Sequence, residues 1–216
     1  MKKLLLLGMA MVLTAALVGC GGGGDSAPAT AISQVFSDPN ADGDIAFDPA
    51  PPGTFTISTA NTTLSVLVGI DPVSVIEYRG FLDFPLSGPG GVPAGAIIVS
   101  ATLDIFINRV VVAAPATTVP ILMDLVSFQP PTLIASDFDR DTLLPFASRT
   151  FNIFTTDAGF FVPIDVTGLM QEAQRRGLPD FQVRLLLDFT ATSGRIEIDD
   201  RPTVSATAPL LTVEYF

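Results

Sequence analysis

Along this chain apolar residues return at every second position in a series of short runs, most clearly between residues 75 and 108. There Val99, Ala101, Leu103, Ile105 and Ile107 alternate with Ser100, Thr102, Asp104, Phe106 and Asn108. A period of two sends the first set to one face of a pleated strand and the second set to the other. Upstream, Leu82, Phe84 and Leu86 share a face, with Arg79, Phe81 and Asp83 opposite, and a Gly- and Pro-rich connector (87–95) divides the two runs. Strands with a single apolar face need a second layer to cover it. The pattern therefore predicts two antiparallel sheets packed face to face.

The same alternation predicts strands over 32–36, 54–58, 62–68, 121–128, 150–155, 160–166, 195–198 and 210–215. In a further run, 181–189, Val183, Leu185, Leu187 and Phe189 point inward while Gln182, Arg184 and Asp188 point outward. Clusters of turn residues separate these runs, and Pro115 marks 110–118 as a loop. One helix is expected. Leu169, Met170 and Ala173 form its apolar stripe and Thr167 is placed to cap its first turn. Arg175 and Arg176 suit the negative end of its dipole, Gly177 the left-handed position beyond, and Pro179 stops it.

Three stretches of the central region carry a resemblance. Arg79-Gly80-Phe81-Leu82-Asp83-Phe84-Pro85-Leu86, Val92-Pro93-Ala94-Gly95-Ala96-Ile97-Ile98 and Ser100-Ala101-Thr102-Leu103 together resemble the signature of the DNRLRE domain family. Ile164-Asp165-Val166-Thr167 and the closing run Pro209-Leu210-Leu211-Thr212-Val213-Glu214-Tyr215 agree with it. Members of that family are extracellular modules similar to carbohydrate-binding jelly-roll sandwiches. The resemblance thus implies an all-β, jelly-roll-like two-sheet sandwich with one short helix over 32–216, and a polysaccharide as one candidate partner. The chain has Pro85 where the family usually has Asp, and it has no tryptophan.

The first nineteen residues, MKKLLLLGMAMVLTAALVG, have a short basic start, an apolar stretch and small residues at the end, the form of a secretory leader. Leu17-Val18-Gly19-Cys20 resembles the bacterial lipobox, in which the cysteine is acylated and becomes the first residue. A plain signal peptide with a chance cysteine, or a retained anchor, is the alternative. Acyl chains gain about 0.8 kcal/mol per buried methylene, so two or three hold a protein on a membrane. Residues 20–31, with the tetraglycine 21–24, form a flexible tether of roughly 18 Å. Gly21 rather than Asp after the cysteine implies the outer membrane if the host is diderm.

Charge and composition narrow the chemistry. The formal charge is −11, and both lysines, Lys2 and Lys3, fall in the leader. Beyond it nine arginines face twenty-two acids, a surface that repels nucleic acid and anionic lipid. There is no histidine and Cys20 is the sole cysteine. Ser-His-Asp, Cys-His and His-based zinc chemistry are therefore excluded, as is a lysine Schiff base in the mature chain. A carboxylate pair is what remains for acid–base work. The four glutamates, Glu77, Glu172, Glu197 and Glu214, do not suggest one, so no catalytic role is expected.

One loop suggests a cofactor. Asp38, Asn40 and Asp42 followed by Gly43 and Asp44 match the opening of a calcium loop, where alternate oxygens converge on a hard cation and glycine makes the turn. Pro49 occupies the place of the closing bidentate Glu. Ca²⁺ at Asp38, Asn40, Asp42 and Asp44, or an Asx-rich turn, are the two readings. The alternating acids of 137–141 raise the same question, with Arg140 partly neutralising them. The functional expectation is a non-catalytic envelope or surface lipoprotein, either a structural or protein-binding module or a carbohydrate-binding one. Phe81 and Phe106, apolar side chains on polar faces, mark either a partner surface or chain packed over those faces.

Overall fold

The computed structural model describes residues 29–59, 64–130, 132–200 and 206–216. The leader, Cys20 and the tetraglycine lie outside the described residues. Twelve strands occur among the described residues. They are β1 (Ala31–Phe36), β2 (Gly43–Asp48), β3 (Thr54–Thr59), β4 (Ser65–Ile70), β5 (Glu77–Pro85), β6 (Ile98–Val111), β7 (Thr118–Val126), β8 (Ala147–Phe154), β9 (Phe161–Asp165), β10 (Asp180–Leu187), β11 (Gly194–Asp199) and β12 (Leu210–Tyr215). Among the described residues one α-helix, α1 (Thr167–Arg176), lies between β9 and β10. The fold is all-β and antiparallel with one short helix.

Hydrogen bonding does not divide the strands into two separate sheets. One path runs β1-β12-β6-β11-β4-β5-β10-β7-β8 and curls strongly into a half-barrel. The hairpin β2–β3 joins it at β5, and β9 joins at β6. The reason is β6, fourteen residues long. Its first part pairs with β12 (Thr102↔Thr212) and its last part with β11 (Val110↔Ile196), so this one strand carries the hydrogen bonding on from β12 to β11. The expected loop over 110–118 starts later because β6 runs on to Val111.

The inward faces meet in one main core that includes Leu82, Phe84, Leu103, Ile105, Leu185 and Met170. Each such side chain contributes about 1.5–3 kcal/mol by leaving water. Gly80 is needed here, since a Cβ at that position would sit 2.6 Å from Val66 Cγ1 and 2.7 Å from Val68 Cγ2. The alternation of β6 holds from Ala101 to Ile107 but breaks at its start. A register shift opposite Glu214 and Tyr215 makes Val99 an extra residue, so Ile98 is buried and Val99 exposed.

The opposite face of β5, β7 and β10 is buried as well. Phe81, Ile45, Val126, Phe128, Leu133 and Phe138 form a second core beneath the β2–β3 hairpin and the segment 127–146. Arg184, expected to face outward, is fully buried there. Phe189, expected to face inward, lies beyond β10 and is exposed. Thr167 is the first residue of α1 rather than its cap. Its N–H donates to Asp165 Oδ1 at 3.0 Å, and its hydroxyl accepts from the Ala101 N–H at 3.0 Å.

β3 pairs only with β2, so among the described residues its outer edge is open.

Candidate functional site

The turn after β1 gathers buried acid. Asp38 holds it together: its carbonyl accepts from Ala41 and Asp42, and its Oδ1 accepts from the backbone and side-chain nitrogens of Asn40 at 3.0 Å. The Asp38 N–H donates to the Asp83 carbonyl at 2.8 Å. Asp42 is fully buried and its Oδ1 accepts from the Asp83 N–H at 2.7 Å. Asp44 turns to a different neighbour, accepting from the Leu67 N–H at 3.2 Å. Burial lifts its carboxyl to about 7, against the opposing pull of the Leu67 N–H and the Arg195 charge.

A residue 156 positions further on than Asp44, Asp200 immediately after β11, completes the cluster. Burial and the Asp200 charge push the Asp42 carboxyl well above the usual carboxylate range. Burial, with the charges of Asp199 and Asp38, pushes Asp200 up to about 7. Asp83 is raised to about 6, chiefly by burial, while Gln182 Nε2 donates to its Oδ1 at 2.8 Å. Asp38, Asp42 and Asp200 thus share one region, and Asp44 is held beside β4. Nothing in the spacing of the sequence pointed to Asp200 or Asp83. Among the described residues no three His, Cys, Asp or Glu side chains form a metal-ligand group.

The second acidic run serves the fold. Asp137 Oδ2 accepts from the Ile134 N–H at 2.9 Å. Arg140 leaves the run and makes two bonds to Asp124, 2.8 and 2.9 Å. Asp124 also accepts from the buried Arg184 at 2.9 Å, and Arg184 donates to the carbonyls of Asp137 and Leu143. Guanidinium donors thereby fasten the segment 127–146 onto the sheet. The four glutamates are engaged too. Glu77 pairs with Arg79 at 2.8 Å, Glu172 with Arg175 and Arg176, and Glu197 with Arg195 at 2.9 Å, while Glu214 accepts from Thr30 and Ser100.

The outer face of β1, β12, β6 and β9 presents a different surface. Register aligns Phe36, Leu210, Asp104 and Pro163 in one row across the four strands. Phe36 and Phe161 are 50% and 46% exposed, high values for two large rings on one face. With Leu210, Ala206 and Ala208 they line a shallow hollow of about 310 Å³ around Asp104. The Phe106 ring meets Phe161 edge to face, centroids 5.2 Å apart and planes at 73°. Among the described residues the Asp104 carboxylate makes no hydrogen bond or ion pair. Of the two phenylalanines on nominally polar faces, Phe81 is covered by chain and Phe106 belongs to this open patch. No helix among the described residues is long and apolar enough to cross a membrane. Compared with known proteins, the chain matches no protein-family model and no curated protein.

Proposed function

We propose that the protein is a non-catalytic binding module of the bacterial envelope, held by lipid on Cys20 and docking another protein on the outer face of β1, β12, β6 and β9. The observation that carries the docking is the hollow of Phe36, Phe161 and Leu210 around Asp104, whose carboxylate has no partner among the described residues. Apolar rings gain by leaving water against an apolar partner element, and the carboxylate at their centre selects one that also offers an arginine or lysine. The leader ending in Leu17-Val18-Gly19-Cys20 supports the anchor. We read the curled sheet as a jelly-roll-like sandwich closed at β6, in keeping with the resemblance of residues 79–103 to DNRLRE modules.

Affinity capture on the wild-type protein, on Phe161→Asp and on Asp104→Lys tests the docking face. A partner retained by the wild type and lost by both variants, with melting temperatures unchanged, is the expected result. An identical set of retained proteins for all three removes the proposal. For the anchor, Cys20→Ser is expected to lose palmitate label and leave the membrane fraction. Label that persists in this variant refutes lipidation.

Three phenylalanines on one sheet face also favour a second reading, a polysaccharide ligand. Sugars stack on open, flat rings, and the edge-to-face packing of Phe106 on Phe161 leaves little such platform. A glycan array separates the two: binding abolished by Phe161→Ala supports the sugar, and a blank array leaves the protein partner.

A further inference from the structure

Asp42 and Asp200 arrive from distant parts of the chain and meet under cover, 0% and 2% exposed. Asp200 and the Ser37 hydroxyl are the neighbouring side chains that act on the Asp42 carboxyl. Among the described residues three oxygens there lack a hydrogen bond of regular geometry: Asp42 Oδ2, Asp200 Oδ2 and Ser37 Oγ. Ser37 Oγ lies close enough to Asp42 to favour its charge, yet it forms no proper bond. Ser37 is itself buried, 6% exposed. Buried acceptors without donors are costly, and two carboxylates side by side are costlier still.

One proton shared between the acids would still leave one negative charge buried between them. A divalent cation would draw all three oxygens and cancel both charges. We propose that Ser37, Asp42 and Asp200 form the protein side of a site for a hard, oxygen-seeking divalent cation, calcium being the ion that fits such donors. Asp38, half-buried, stands near enough for its charge to act on Asp200 and gives the site an acidic approach. The remaining positions of a calcium shell, six to eight oxygens in all, fall to water and backbone carbonyls. This is not the sequential loop of Asp38, Asn40, Asp42 and Asp44, because Asp44 is engaged with Leu67 and Asp200 takes its place.

The ion would tie the turn after β1 to the end of β11. Phe36 immediately precedes Ser37, so the tie lies next to the apolar hollow, although the site does not depend on what docks there.

Calorimetric titration of the full chain in detergent, stripped with EDTA, with calcium and then magnesium, tests the assignment. One calcium site is expected, with a dissociation constant on the order of 10⁻⁴–10⁻³ M for so few carboxylates. Asp200→Asn should weaken it about tenfold or more, Ser37→Ala by less, and Asp44→Asn and Asp48→Asn not at all. Should Asp42→Asn fail to fold, Asp200→Asn and Ser37→Ala still decide. No heat of binding, with Asp200→Asn melting higher than wild type in calcium and in EDTA alike, means the acids merely share a proton and overturns the site. Loss of binding in Asp44→Asn but not in Asp200→Asn returns the ion to the sequential loop and overturns it equally.

Discussion

Phe81 and Arg184 show how a residue can be read correctly for its side of a strand and wrongly for what lies there. Alternation along β5 and β10 puts both on the face opposite the main core, and they are there. What alternation cannot report is that a distant segment covers that face. For Phe81 the result is a second core in which its ring packs edge to face on Phe128, centroids 5.5 Å apart. Phe81→Ala is therefore expected to cost about 3–5 kcal/mol, and Leu103→Ala and Leu185→Ala about 2–5 kcal/mol each, measured by chemical denaturation. A Phe81→Ala cost near half a kilocalorie would mean the second core is loose. Arg184 did carry a usable signal. It sits directly across from Asp124 in register, an opposite-charge pair on two largely apolar strands.

At the scale of elements, α1 and most strands were readable because each rests on local periodicity and end signals. Gly177, at φ 65° and ψ 36°, ends α1 as its sequence position implies. β2 was not anticipated, since its residues share a stretch with turn-forming Asp, Asn and Gly and its strand character comes from pairing with β3 and β5. Residues 127–130 and 132–146 have almost no regular structure and are held instead by charge. Asp124 accepts from Arg140, Arg184 and Ser148, and its carboxyl is held below the usual carboxylate range by these donors against the opposing effect of its burial. Asp124→Ala leaves the Arg184 guanidinium buried without its counter-charge, at an expected cost of about 3–5 kcal/mol. Amide exchange should rise first across 135–146 and only later in β7 and β10. Uniform acceleration across all three would show that the segment is not separately fastened.

Taken whole, the molecule stores protons. Asp44 and Asp200, raised to about 7, and Asp83, raised to about 6, would each titrate near 3.9 in the unfolded chain. Between those limits the folded state binds more protons, so its stability falls as pH rises from about 4 to 7. Below that window the depressed carboxyls of Asp71, Asp124, Asp165 and Asp188 act with the opposite sign. In EDTA the melting temperature should thus be higher at pH 5 than at pH 8, by about 5 °C or more. A flat profile across that range would show these carboxyls to be solvated. Half of this cluster is legible in the sequence as Asp38 and Asp42; Asp83 and Asp200 are not, because only the curled sheet brings them there. The open edge of β3 has its own consequence at this scale. Thr54-Phe55-Thr56-Ile57-Ser58-Thr59 is uncharged, free of Pro and Gly, and rich in residues that favour extended chain, while Phe55 and Ile57 are exposed. Such an edge is a template on which a second copy can add its own β3, and then a third. Concentrated protein should accordingly form oligomers through this strand, visible as a concentration-dependent rise in light scattering, and a single lysine at Thr56 should keep it monomeric.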